Sequence, residues 1–149
     1  MNDNYELHDA TVHGLVDKVK TLIKQGADVH FAKPTHLLQP LHYTAIWNGH
    51  EKIAELLLDA KANVDATSKS GHTALMFAVN NQYPRLVKLL LERKADTSLT
   101  VTEPGNSDFG KTAIDLACND NEMLFLFAKP APPAPPAPHV VVEPVKEAA

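Results

Sequence analysis

Residues 71–98 read G-H-T-A-L-M-F-A-V-N-N-Q-Y-P-R-L-V-K-L-L-L-E-R-K-A-D-T-S. Two short apolar-periodic segments stand in this stretch with a break between them. Leu75, Ala78 and Val79 recur at helical spacing in the first, and Leu86, Val87, Leu90 and Leu91 do so in the second. Thr73 suits the N-cap of the first segment, and Pro84 suits the first turn of the second. Each segment is only about two to three turns long, too short to persist alone in water. The pair therefore has to bury its apolar stripe against another pair.

The chain supplies the other pairs by repetition. Residues 26–29 read G-A-D-V, residues 61–64 K-A-N-V and residues 94–97 K-A-D-T, so that Ala27, Ala62 and Ala95 lie 35 and 33 residues apart. Alanines of the first helices, Ala10, Ala45, Ala78 and Ala117, are spaced by 35, 33 and 39 residues. Further fragments keep the same order: Pro40-Leu41-His42, Gly49-His50, Gly71-x-Thr73-Ala74-Leu75 and Gly110-x-Thr112-Ala113-Ile114. A period near 33 carrying these fragments resembles the ankyrin repeat. The resemblance covers residues 4–129 and implies an all-α repeat solenoid: four helix-turn-helix repeats, at about 4–30, 39–65, 71–98 and 110–129, with β-hairpin fingers between them.

Composition narrows the function. At 149 residues the chain is one domain's worth, with 44 % hydrophobic residues and a net charge of −4. No Lys/Arg cluster stands out, which argues against nucleic acid. No apolar run approaches the ~20 residues needed to span a membrane. Residues 1–4 show no signal-peptide pattern, so the compartment stays open: cytoplasmic by default, exported or periplasmic if a leader has been removed. Cys118 is the only cysteine, which excludes an intrachain disulfide.

Several local features depart from the repeat. Asn4 or Asp3 can cap the first helix. The connection 30–39 is long and apolar (Phe31, Pro34, Leu37, Leu38), and Leu37 or Leu38 is expected to tuck under repeat two. Counted back from Gly49, Ala45 fits its slot while Leu41-His42 falls one residue early, so repeat two carries either a slipped turn or a helix bulge. Gln82 replaces the inter-helix glycine and implies modest strain or a shifted turn. About six extra residues follow repeat three, where Leu99 to Thr102 alternate like a strand and residues 103–106 signal a turn, which reads as a protruding β-hairpin. Repeat four ends in Met123-Leu-Phe-Leu-Phe127, apolar nearly all round, and needs a cover. The Pro/Ala-rich tail 130–149 suits polyproline II. It is expected to fold back over that end as a cap, or else to serve as a PxxP-type ligand.

Chemistry finds little support. The eight histidines contain no H-x3-H pair, and Cys118 has no partner at metal spacing. Its slot packs between helices, which predicts a buried, inert thiol. His8, His42 and His50 stand at or beside slots where histidine ties neighbouring loops in the family. No phosphate-binding glycine loop is present. The reading is of a non-enzyme with no cofactor, no metal and no catalytic residue, monomeric on its own, whose partner is another protein.

What the resemblance implies for binding is a concave groove of first helices and finger tips. Carried onto this chain, the variable helix slots are Val12 and His13, Trp47 and Asn48, Asn80 and Asn81, and Asn119 and Asp120. The finger slots are Lys69, Ser70 and His72, then Asp108, Phe109 and Lys111. The slip in repeat two leaves His36, Leu37 and Gln39 unassigned. Trp47 is either a groove anchor, the type most enriched in hot spots, or a side chain turned inward by a bulge. The expected function is a stoichiometric regulator, inhibitor or self-protection protein of a partner enzyme. The alternatives are an adaptor that tethers two proteins and, from another class, a metal- or thiol-dependent enzyme.

Overall fold

A computed structural model describes residues 2–128, and the readings placed on residues 129–149 lie outside it. Eight helices follow one another in four pairs: α1 (Asp3–Val12) with α2 (Val16–Lys24), α3 (Pro40–Ile46) with α4 (Glu51–Asp59), α5 (Ala74–Asn80) with α6 (Pro84–Glu92), and α7 (Ala113–Leu116) with α8 (Asn121–Phe127). First helices pack on first helices along the stack (α1 on α3, α3 on α5, α5 on α7), and second helices on second helices. One core runs through all four pairs, from Leu7, Ala10 and Val19 through Leu41, Ile53, Leu57, Leu75 and Leu86 to Ala113 and Met123. This is the four-repeat all-α solenoid that the period implies.

The caps explain where helices start. Thr73 Oγ accepts from the Met76 N–H at 3.3 Å, and Asp120 caps α8 through the N–H groups of Glu122 and Met123. At α1 the cap is Asn2, one residue before the expected pair. Asn4 instead accepts from the Asp28 N–H at 2.8 Å and so ties the repeat's start to its finger.

Repeat two shows where its extra residue went. In repeats one and three the inter-helix turn closes when the Leu15 and Tyr83 N–H groups donate to Ala10 and Ala78, five residues back. In repeat two the His50 N–H donates to Thr44, six residues back. Helix α3 is seven residues long, like α5, so the insertion lies in the turn, where Asn48 (φ 56) and Gly49 (φ 60) are both left-handed. The slipped turn is the correct alternative. Thr44, fully buried and bonded to the Leu41 carbonyl at 2.7 Å, takes the slot held by Ala10 and Ala78 in the neighbouring repeats.

The fingers are smaller than a β-hairpin. Each carries isolated bridges only, Lys33 with Leu38, Thr67 with Thr73, and Thr100 with Thr112 beside Val101 with Phe109. The expected protruding hairpin after repeat three is therefore corrected. Residues 103–106 do turn, with the Asn106 N–H on the Glu103 carbonyl at 3.2 Å. The segment does not extend a ladder, because the N–H groups of Thr102 and Glu103 both donate back to the Ser70 carbonyl at 3.2 Å. The third finger leans on the second.

Repeat four is the least complete. Helix α7 is a single turn, Phe125 is 77 % exposed and Ile114 41 %. Cys118 is exposed, which corrects the expectation of a buried thiol. With α7 ending at Leu116, no helix carries Cys118 into the core.

Candidate binding groove

The family slots spread along one side of this stack, and their environments divide them. Trp47 closes α3 in an extended conformation, half exposed, so no bulge turns it inward. His13, Asn48, Lys69, Asn80, Phe109, Lys111 and Asn119 are also exposed. Val12 is half-buried, and its own carbonyl accepts from His50 Nε2 at 3.4 Å. Asn81 spends its amide on the Ala45 carbonyl of the preceding repeat at 2.9 Å. Asp120 is a helix cap. His72 is the clearest departure: at 5 % exposure and stacked on Phe77 with ring centroids 5.1 Å apart, it is a finger's internal support, not a tip.

Around His72 the second and third fingers join. Ser68 Oγ lies 3.0 Å from Ser70 Oγ, Ser70 Oγ lies 2.9 Å from His72 Nδ1, and His72 Nε2 lies 3.7 Å from an Asp108 carboxyl oxygen. The Lys111 ammonium, bonded to Asp108 at 2.9 Å, holds that carboxyl below its ordinary range. Ser, His and Asp in one chain suggest nucleophilic catalysis, but the amides around Ser70 are committed. The Lys69 N–H donates to His36 and the Gly71 N–H to Ser68. They leave no pair of donors for an oxyanion. The arrangement fastens finger to finger.

Two buried histidines stand where repeat meets finger, with different partners. His42 Nδ1 accepts from the Gln39 N–H at 3.0 Å, so Nε2 carries the proton and donates to the Ala66 carbonyl at 2.8 Å. His8 sits between the carbonyls of Asn4 and Leu38, with Phe31 and Tyr43 edge-on to its ring. Burial depresses the pKa of both, His42 to about 4. Among the described residues no group of three or more His, Cys, Asp or Glu side chains converges as metal ligands would, and no helix is long and apolar enough to cross a membrane.

Between fingers and first helices lies a cavity of about 380 Å³. Its apolar lining is Leu38, Ile46 and Phe77; Ser68 and Ser70 line it as well, with Lys69 and Glu103 as its charged residues. Leu38 is thus the half-buried member of the apolar connection. Leu37, expected as a possible partner in that packing, is 47 % exposed at φ 52, an unusual conformation for a bulky residue. Phe31 packs edge-on against Tyr5. Ile46, Phe77 and the strained Leu37 were not singled out by slot counting. The apolar character of 30–39 was a signal for Leu37 alone; none pointed to Ile46 or Phe77.

The chain belongs to the ankyrin-repeat family: the family profile for ankyrin repeats, in three copies, matches residues 7–101. It is 38 % identical over 87 residues, 58 % of its length, to the ankyrin repeat and KH domain-containing protein mask-1 of Caenorhabditis elegans, covering 3 % of that protein. It is 32 % identical over 126 residues, 83 % of its length, to the NF-kappa-B inhibitor cactus of Drosophila melanogaster, covering 24 % of it. With the human ankyrin repeat and SOCS box protein 6 it shares 33 % identity over 109 residues, 69 % of its length and 26 % of the relative's. The chain thus spans about a quarter or less of these relatives' length. Ankyrin repeats are protein-interaction modules, and binding another protein is the activity this fold serves.

Proposed function

We propose that this protein is a stoichiometric regulator that binds a partner protein through its first-helix and finger side, and that it acts by covering the partner's surface, an enzyme's active-site opening included. The observation that carries the reading is the exposure of large apolar side chains on that side, Leu37, Trp47 and Phe109 among them at 47 %, 50 % and 56 %. None is needed in the core, and Trp is among the residue types most enriched in interface hot spots. Leu37 adds backbone strain, which tends to persist where function requires it. The contacts within the fingers keep this surface preorganised, so little ordering cost falls on binding. Cactus, similar over most of this chain, is named as an inhibitor. An adaptor role would draw on the proline-rich residues 130–138 as a second contact.

Affinity capture with wild type and Trp47→Ala side by side tests the reading. A partner held by wild type should weaken on the variant by about 2 kcal/mol, with the circular dichroism unchanged. Equal affinity for both would remove Trp47 as an anchor, and equal affinity for a Leu37→Ala/Trp47→Ala/Phe109→Ala variant would remove the groove.

A further inference from the structure

Charge is divided unevenly between the two sides of the stack. First helices and fingers, residues 3–15, 27–50, 63–83 and 96–120, contain three Lys and Arg against ten Asp and Glu. Second helices with their trailing turns, residues 16–26, 51–62, 84–95 and 121–128, contain nine against six. The imbalance is sharper than the count. Of the three cations on the first side, Lys111 is bonded to Asp108 and the Lys33 ammonium sits 5.2 Å from the Tyr43 ring centroid. Only Lys69 has neither kind of contact among the described residues.

Half of the ten carboxylates there are compensated by neutral groups, while Glu6 meets the Lys18 ammonium at 3.3 Å and Asp108 that of Lys111 at 2.9 Å. Asp28, Asp65, Asp96, Asp115 and Asp120 each accept a backbone N–H at 2.7 to 2.9 Å. Such bonds hold the negative charge in place without cancelling it. The field therefore extends outward over a Debye length, about 8 Å at physiological salt, and selects partners by sign. On the same side lies the cavity whose apolar lining is Leu38, Ile46 and Phe77 and whose charged residues are Lys69 and Glu103.

We propose that the partner presents a Lys/Arg-rich polypeptide segment, one apolar side chain of which enters the cavity beside Ile46 and Phe77. This rests on the groove reading above and specifies the chemistry of what the groove takes. The cavity supplies register and the carboxylates supply attraction and sign.

The test uses two twelve-residue synthetic peptides with the same leucines, one with lysines and one with glutamates between them, and an oligolysine without leucine. Binding is read by fluorescence anisotropy and located by amide chemical shifts on the labelled protein. The lysine–leucine peptide should bind at least ~10-fold tighter than the glutamate peptide at low salt, and tighter than oligolysine, with shifts at Ile46, Ser70, Phe77 and Glu103. Raising the salt should weaken it. Glu103→Lys should weaken it roughly 3- to 10-fold, while Lys88→Glu, an opposite charge change on exposed α6, should leave affinity within about twofold. A Lys88→Glu gain matching the Glu103→Lys loss would show attraction to net charge alone and overturn the proposal. Equal or reversed peptide preference, or no binding by either, would also overturn it. Shifts that map to the groove under a reversed preference would leave the groove standing. Shifts confined to the second helices would remove the groove itself.

Discussion

His42 Nε2 donates to the carbonyl of Ala66 at 2.8 Å, across 24 residues of chain, and the second finger is held to helix α3 through that bond. The ring is fully buried, and its other nitrogen already accepts the Gln39 N–H, so a second proton has nowhere to go without breaking the helix start.

Acid should therefore loosen the protein before it protonates its carboxylates. Burial lowers the His42 pKa to about 4, against the bonds that would raise it, and His8 is shifted in the same direction. The unfolded chain takes up the proton near 6.5 and the folded chain resists it, so stability is complete above pH 6.5 and declines as pH falls toward 4. The His42 share is up to about 3 kcal/mol. Urea midpoints at pH 7.5 and 5.0 check this: the midpoint should drop for wild type and drop less for His42→Gln. A midpoint that holds steady between the two would contradict it.

Gln82 occupies the inter-helix turn at φ 58, where Gly14 and Gly49 stand in the first two repeats. A left-handed residue with a Cβ carries about 1 kcal/mol of strain. Gln82→Gly should raise stability by roughly 0.5–1 kcal/mol and the melting temperature by about 2–4 °C. Calorimetry that shows a lower transition would mean the Gln82 side chain contributes packing that the exposed position does not suggest.

Gly71 and Gly105 both have positive φ, +86° and +91°, but they differ in room. A Cβ at Gly71 would lie 2.5 Å from the backbone nitrogen of Thr102, whereas one at Gly105 meets nothing within 4 Å. Gly105→Ala should cost about 1 kcal/mol and Gly71→Ala more than about 3, because the third finger has to leave the Ser70 carbonyl. Similar chemical denaturation curves for the two variants would show that the finger contact yields freely.

Trp47→Ala should cost less than about 1 kcal/mol in stability, since the ring is half exposed, while Leu57→Ala, fully buried, should cost about 2–5. A large loss at Trp47 in thermal melts would place it in the core after all.

The repeat, the Thr73 cap and the core were legible from local and periodic signals: Leu7, Leu41 and Leu75 recur, and each falls in one buried stripe, whereas the α1 cap fell on Asn2 and Asp120 proved to be a cap. What was not legible broke the period. Counting from Gly49 assigned the alanine slot to Ala45, and only the bond from His50 to Thr44 shows that the extra residue sits in the turn. The third finger looked like a hairpin because alternation in 99–102 is a local signal, while its actual partner is Ser70, 32 residues before Thr102. Cys118 was misplaced because a slot buried in an interior repeat lies open in a terminal one. Groove slots were assigned by position, but His72, 5 % exposed, shows that position does not set exposure. The cavity joins three fingers and two helices, an adjacency no single repeat encodes.

Helix α7 is one turn, and Phe125 lies open beside it. In a stack where each repeat leans only on its neighbours, such an end does not share the stability of the middle. The protein should come apart like a zip from its C-terminal side, with repeat four opening at a denaturant concentration that leaves repeats one to three in place. Trp47, the single fluorophore of its kind, sits in repeat two and will not see that first step. Fluorescence and circular dichroism would then trace two different curves, and one unfolding free energy would describe neither.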